Sequence, residues 1–441
     1  MSLRSRLNRW LITGRYRLRW RSQVRWAAIA LVSLLTVAGI GIATVAQDSK
    51  TTISLLVRAV EADQLVILED AFEAENPDID VQIVQGPNAT DSVENLYTTS
   101  FLLGDSPYDL VFADVIWIPK FAAAGWLKDL SEYVSAEDLN GFLEADINAG
   151  TYNDKLYRMP FRSAMGMLYY RQDILDQLGL EPPETFQELI TASQQAQAET
   201  DVQWGFLWQG AQYEGLICDY LEVLAGNGGF WVDPDTREVG LDLPEAVEAL
   251  MFLKRTIDEG ITPPGVTNYL EEDSLRPFEN GDAVFLRNWP YVWAEANKEG
   301  SPVQGKIQLK PMVHGEGQSP AATLGGWGFG ISETASDPDA AWRVVDYFTS
   351  EAAQKQYALE HAYVPSRRSL FTDPDVLAKY PHYEQLLKVA EETVPRPPIG
   401  QYAQVSDILQ RYLSAAITDQ MTPLDAMKAA AGETRRLLGQ D

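Results

Sequence analysis

A two-lobed α/β protein is what the sequence predicts, and three observations predict it. Strand and helix signals alternate between residues 51 and 114. A length of 441 residues exceeds what one ordinary core accommodates. Apolar residues make up 46% and charged residues 22%, the balance of a globular chain rather than a disordered one.

The elements follow in order. TTISLLV (51–57) reads as a buried strand, and DQLVILEDAFEAENP as a helix closed by Asn76-Pro77. IDVQIVQG alternates as a second strand, a helix covers roughly 91–103, and PYDLVFAD (107–114) gives a third strand ending in Asp114. Strand–helix–strand–helix–strand over this length implies a parallel, helix-covered sheet, whose ligands bind beyond the carboxyl ends of the strands. Glu61 and Asp114 fall just past such ends. Each reads as a ligand contact, or equally as a helix cap or a solvated acid. Amphipathic helices with proline near their starts dominate the middle of the chain, as in PETFQELITASQQAQAE and PEAVEALMFLKRTIDEG. Strands return at AVFLRN, GKIQLKPMV and TLGGWGFGIS (323–332), and helices finish the chain.

Charge is distributed unevenly. Residues 1–46 hold eight arginines and no acid, and without them 27 basic residues face 63 acidic ones. Such a body does not bind nucleic acid or an anionic membrane through charge. The Arg-rich start and the apolar run 27–46 predict a signal peptide or an uncleaved N-terminal anchor over residues 1–47, with the arginines in the cytoplasm and residues 48–441 outside it. Cys218, the lone cysteine, sits in an apolar helix pattern and reads as a buried thiol, so no intramolecular disulfide forms.

Catalytic signatures are scarce. Three scattered histidines and one cysteine assemble no zinc or haem site, so no cofactor is expected. No phosphate-binding loop, nucleophile elbow or dinucleotide fingerprint occurs. Asp233 and Asp235 do not open a calcium loop, because Arg237 stands where a third oxygen ligand belongs. Among 63 acids, spacing singles out no glycosidase pair.

Aromatic residues with polar neighbours are plentiful instead. LRNWPYVW (286–293) concentrates Trp289, Tyr291 and Trp293, and Pro290 places them on an edge or loop with some rings exposed. TLGGWGFGIS plants Trp327 among four glycines, either as a core ring in a bulged strand or as a ring covered by a ligand. Flat rings suit the C–H face of a sugar, and carboxylates and guanidinium groups suit its hydroxyl rim. Trp289, Tyr291 and Trp327 fit the first role, and Glu61, Asp114 and Arg367 the second.

Several blocks carry a family resemblance: KFAAAGWLKDL (120–130), the MP…LYYR pattern at 159–171, WQGAQYEGLICDYLE (208–222), FLRNWPYVWAEAN (285–297), ATLGGWGFGIS (322–332) and VPRPPIGQYAQVSDILQRYL (394–413). From about residue 51 onward the chain resembles the extracytoplasmic sugar-binding proteins of ABC importers, and within them the trehalose/maltose-binding branch. The resemblance implies a bilobal periplasmic-binding-protein fold, with a ligand cleft and three hinge crossings near 161–165, 328–332 and 363–368. It places 48–161 and 332–365 in one lobe, and 162–331 and 366–441 in the other. It implies a small sugar ligand, a monomer, and permease subunits in the membrane served by a cytoplasmic ATPase. For the site it implies Glu61, Asp114, Trp289, Tyr291, Gly325, Gly326, Trp327 and Arg367.

Two departures stand out. Asn95 occupies the place of a branch arginine, and Arg162 and Ala164 replace a Tyr-x-Asp pair. Losing a ligand carboxylate removes hydrogen bonds worth about 0.5–1.5 kcal/mol each. The expected ligand is accordingly a disaccharide-sized sugar or osmolyte: trehalose, sucrose, glucosylglycerol or a maltose-like sugar. An Arg-led exported protein of this type also resembles the binding proteins of cyanobacterial osmolyte importers. Two rival readings are a secreted glycoside hydrolase and a sugar-sensing adaptor domain.

Overall fold

β1 (Thr51–Arg58) is buried from Ile53 to Val57, as a strand covered on both faces must be. The computed structural model describes residues 50–440, apart from 234, 235 and 392, and the leader at 1–47 lies outside the described residues. The helix Ala59–Glu75 leads to β2 (Ile79–Gly86), whose alternating burial marks the sheet edge. The helix Thr90–Leu102 leads to the fully buried β3 (Leu110–Asp114). β1 pairs in parallel with both β2 and β3, so Arg58 and Asp114 end neighbouring strands on the same side of the sheet.

A small hairpin, β4 (Thr151–Tyr152) and β5 (Lys155–Leu156), precedes β6 (Met159–Met165) and β7 (Met167–Arg171). β7 belongs to a second sheet with β8 (Trp204–Leu207), β9 (Ala283–Asn288) and β10 (Ile307–Lys310), in the order β10-β7-β9-β8. β11 (Ala322–Ile331) returns to the first sheet, antiparallel to both β3 and β6. β12 (Thr393–Val394) adds a short parallel pairing at Ala322 and Thr323. Both sheets carry helices on their faces. Pro338–Phe348 and Glu351–His361 pack on Ala59–Glu75, and Tyr402–Ile417 and Pro423–Leu438 pack on the helices Glu214–Gly226 and Pro244–Asp258.

The chain leaves the first sheet at Gly166, between β6 and β7. On β11, Leu324–Trp327 pair with β6 within the first sheet. Thr323 is tied to the helix Glu214–Gly226, through its hydroxyl to the Cys218 carbonyl (2.9 Å) and its N–H to Glu222 Oε1 (3.2 Å). Trp327–Ile331 already pair with β3. The segment 363–368 lies alongside, with Val364 accepting from Ser163 N (2.9 Å) and Ser366 from Leu143 N (2.8 Å).

All ten residues of β11 are buried. Gly328 and Gly330 lie against the backbone of a neighbouring segment. A Cβ at Gly330 would stand 2.9 Å from the Tyr157 carbonyl, and one at Gly328 would collide with the Met159 carbonyl. The register slips between Trp327 and Gly328, where β6 carries an extra residue, and Gly326 takes φ +136° just before that bulge.

Candidate functional site

A cavity opens beyond the carboxyl ends of β1 and β3, the position expected for a ligand in such a sheet. Arg58 and Asp114 contribute from those strand ends, and Arg162 and Ala164 from β6. Gly325, Gly326 and Trp327 come from β11. From the second sheet's side come Glu214, Gly215 and Cys218, the adjacent acids Glu271 and Glu272 that open the helix Glu271–Glu279, and Trp289 and Tyr291 in the turn after β9. Tyr363 and Arg396 complete the wall. The free volume is about 50 Å³, room for about three or four waters.

Two ion clusters build the wall. Glu61 is fully buried and accepts from Arg58 Nε (2.9 and 3.1 Å), from Arg58 Nη2, and from Arg162 Nη2 (2.6 Å). Arg396 spans the other cluster, 3.0 Å from Asp114 and 2.8 Å from Glu214. Glu214 also accepts from Tyr402 and from Ser406 (2.6 Å). Burial pushes its carboxyl up to about 7, against the pull of Arg396.

The aromatic rings divide sharply. Trp327 is only 5% exposed, with Phe112 stacked at 5.0 Å, Trp117 edge-on at 5.4 Å and the Arg58 guanidinium 4.8 Å over its ring. Protein groups thus lie on this ring, and Trp327 also lines the cavity. Trp289 and Tyr291 are half-buried. Trp289 donates from Nε1 to Glu271 (3.4 Å) and leans on Gly325, where a Cβ would stand 3.0 Å from the indole. Burial pushes the Tyr291 hydroxyl well up, and that hydroxyl has no hydrogen-bond partner.

Of the residues singled out in the sequence, Asp114, Arg162, Trp289, Tyr291, Gly325, Gly326 and Trp327 meet at the cavity. Glu61 sits behind the wall with both oxygens taken by arginines, so it acts on the site through them. Asn95 is exposed, five residues past the cavity-lining Thr90 on the same helix, and so turned well away around its axis. Arg367 lies elsewhere: its guanidinium covers Phe142 at 3.7 Å and its Nε donates to the Thr349 carbonyl (3.0 Å). Arg58, Glu214, Glu271, Glu272, Tyr363 and Arg396 went unnoticed. Arg58 ends the same strand that drew attention to Glu61, and Glu214 and Arg396 lie within the blocks WQGAQYEG and VPRPP.

The sequence pattern of the bacterial extracellular solute-binding protein family matches residues 57–355. The chain belongs to that family. A probable ABC transporter-binding protein of Deinococcus radiodurans is 34% identical over 368 residues, spanning 82% of this chain and 87% of that one. A maltose-bound MalE3 of T. maritima superposes with a TM-score of 0.84 at 37% identity, over 88% of this chain and all of that one. A maltotriose-binding protein of Pyrococcus abyssi is 27% identical, over 70% of this chain and 64% of that one. The fold is therefore the bilobal α/β periplasmic-binding-protein fold, and this solute-binding protein is the capture component of an ABC transporter. Its family binds and releases without chemistry, which removes the glycoside hydrolase reading.

Proposed function

We propose that this solute-binding protein captures a sugar or sugar-like osmolyte of at most about disaccharide size and passes it to a membrane permease. One observation carries the reading: the cavity beyond β1 and β3 sets the half-buried Trp289 and Tyr291 beside the carboxylates of Glu271 and Glu272. Rings for the C–H face and acids for the hydroxyl rim are what a carbohydrate requires. The ligands named for two relatives, maltose and maltotriose, support the same class. Trehalose, sucrose, glucosylglycerol and maltose-like sugars are the ligands to try. Binding closes the two lobes because the ligand's contacts are completed only when both walls meet it. The Arg-rich leader holds the protein at, or exports it across, the membrane that carries the permease, and a cytoplasmic ATPase drives release without touching this chain.

Calorimetric titration of the purified protein against trehalose, sucrose, glucosylglycerol and maltose tests the reading. One-site binding of at least one of them at micromolar dissociation constants is expected. No heat and no rise in melting temperature with any of them would remove the sugar class.

A further inference from the structure

The two arginines clamped on Glu61 occupy places where a stacked sugar ring would otherwise lie. Arg162 Cζ stands 4.1 Å over the Tyr363 ring and 5.7 Å from that of Trp327, and Arg58 Cζ stands 4.8 Å over Trp327. A guanidinium group is a flat plate that satisfies an aromatic face through dispersion and the ring quadrupole, much as the C–H face of a pyranose does. These plates do not swing aside cheaply. Glu61 is fully buried, and moving Arg58 and Arg162 away would leave a buried carboxylate without compensation. Trp327 has Phe112 stacked on it as well as Arg58, whereas Trp289 carries one plate, Arg287 Cζ at 4.3 Å, and stays half-buried at the cavity beside Tyr291.

We infer that Arg58 and Arg162, held by Glu61, fill a stacking place beside Trp327 and Tyr363 and restrict the ligand to one hexopyranose ring with a short tail. The inference rests on the sugar reading above and narrows it: the ring lies against Trp289 and Tyr291, and the tail reaches toward the arginines. Arg162 is thus a specificity-determining residue that selects by size.

The test titrates the purified full chain with one-ring probes, methyl α-glucoside and glucosylglycerol, and with maltose and maltotriose as two- and three-ring probes. Wild type, Arg162→Ala and Arg162→Lys are compared, with circular dichroism and melting temperature reporting that each variant is folded. Wild type is expected to bind its better one-ring probe at least tenfold more tightly than maltotriose. Arg162→Ala, which leaves Glu61 its bond to Arg58, should shrink that preference tenfold or more. Arg162→Lys keeps the charge but lacks the plate, and should shrink it part of the way. Wild type binding maltotriose as tightly as a one-ring probe overturns the size restriction, as does a preference that moves less than about twofold in the folded variants. If Arg162→Ala does not fold, the Arg162→Lys ratio decides alone. Failure of all four probes while trehalose or sucrose binds overturns this inference alone; failure of those two as well removes the sugar reading and this inference with it.

Discussion

Trp289 and Trp327 both reach the cavity from blocks rich in aromatic residues, and the backbone gives them opposite surroundings. Trp289 stands in a turn after β9, next to Pro290, and remains half-buried, with its indole N–H on Glu271 and Arg287 Cζ 4.3 Å over its ring. Trp327 stands in the middle of β11 between two hydrogen-bonded strands, with Phe112, Trp117 and Arg58 around its ring. The turn leaves part of the Trp289 ring to whatever enters the site, whereas the central strand commits more of the Trp327 ring to the core. The two tryptophans therefore trade stability against recognition in different proportions.

Substituting each by alanine tests this most severely. Trp327→Ala should cost about 3–5 kcal/mol of unfolding free energy, because it empties a stacked position in the core. Trp289→Ala should cost about 1–2 kcal/mol, yet weaken sugar binding tenfold or more, about 1.4 kcal/mol. Urea unfolding and calorimetric titration of both variants give the two numbers. Equal losses of stability would abolish the distinction between turn and strand.

That distinction is only half legible in the sequence. Pro290 announces a turn, since proline has no N–H for a ladder, and the turn is where Trp289 and Tyr291 sit. The glycines around Trp327 suggested an uncovered ring, but they accommodate the backbone of residues 157–162, a contact between segments more than 160 positions apart. The strands at 51–58, 79–86 and 110–114 were readable because each is local: a short apolar run in the first and third, an alternation in the second. Site chemistry was less so. The Arg396–Asp114–Glu214 cluster joins three remote segments, and no spacing rule connects them. Glu61 stood out as an acid beyond a strand, but nothing local revealed that two arginines would saturate it.

Gly325 links the two regions and sharpens the comparison. It lies in the same strand as Trp327, yet its missing side chain serves Trp289: a Cβ there would stand 3.0 Å from Cζ3, 3.2 Å from Cη2 and 3.4 Å from the Ala164 Cβ. Gly325→Ala should therefore displace the indole and weaken sugar binding by about 1 kcal/mol, with a stability cost of about 1–3 kcal/mol from overpacking. In a Trp289→Ala background the same substitution should cost almost no further affinity. A double-mutant cycle measures this directly. Additive losses would mean that Gly325 acts on the ligand itself and not through Trp289.

The smallest expected effect separates the two sides by pH. Arg58 beside Trp327 stays charged at any ordinary pH, since against the pull of burial Glu61 holds its proton on. Glu272, on the side of the turn, is held above the usual glutamate range by burial and then by the neighbouring Glu271, with Arg58 pulling the other way. A carboxyl whose folded value is raised binds its proton more tightly in the native state than in the unfolded one. Its contribution to stability is fully present below the ordinary glutamate value and is lost as pH rises through the raised one. His382, pushed down to about 3 by burial, works in the opposite sense and loses stability as pH falls below its usual range. The total slope is thus a poor guide, and the informative quantity is the difference between wild type and Glu272→Gln. That difference in unfolding free energy should shift in favour of wild type as pH is lowered from 7 toward 4.5. A difference that stays flat across that window would place Glu272 in water, and with it the polar half of the wall that the turn presents.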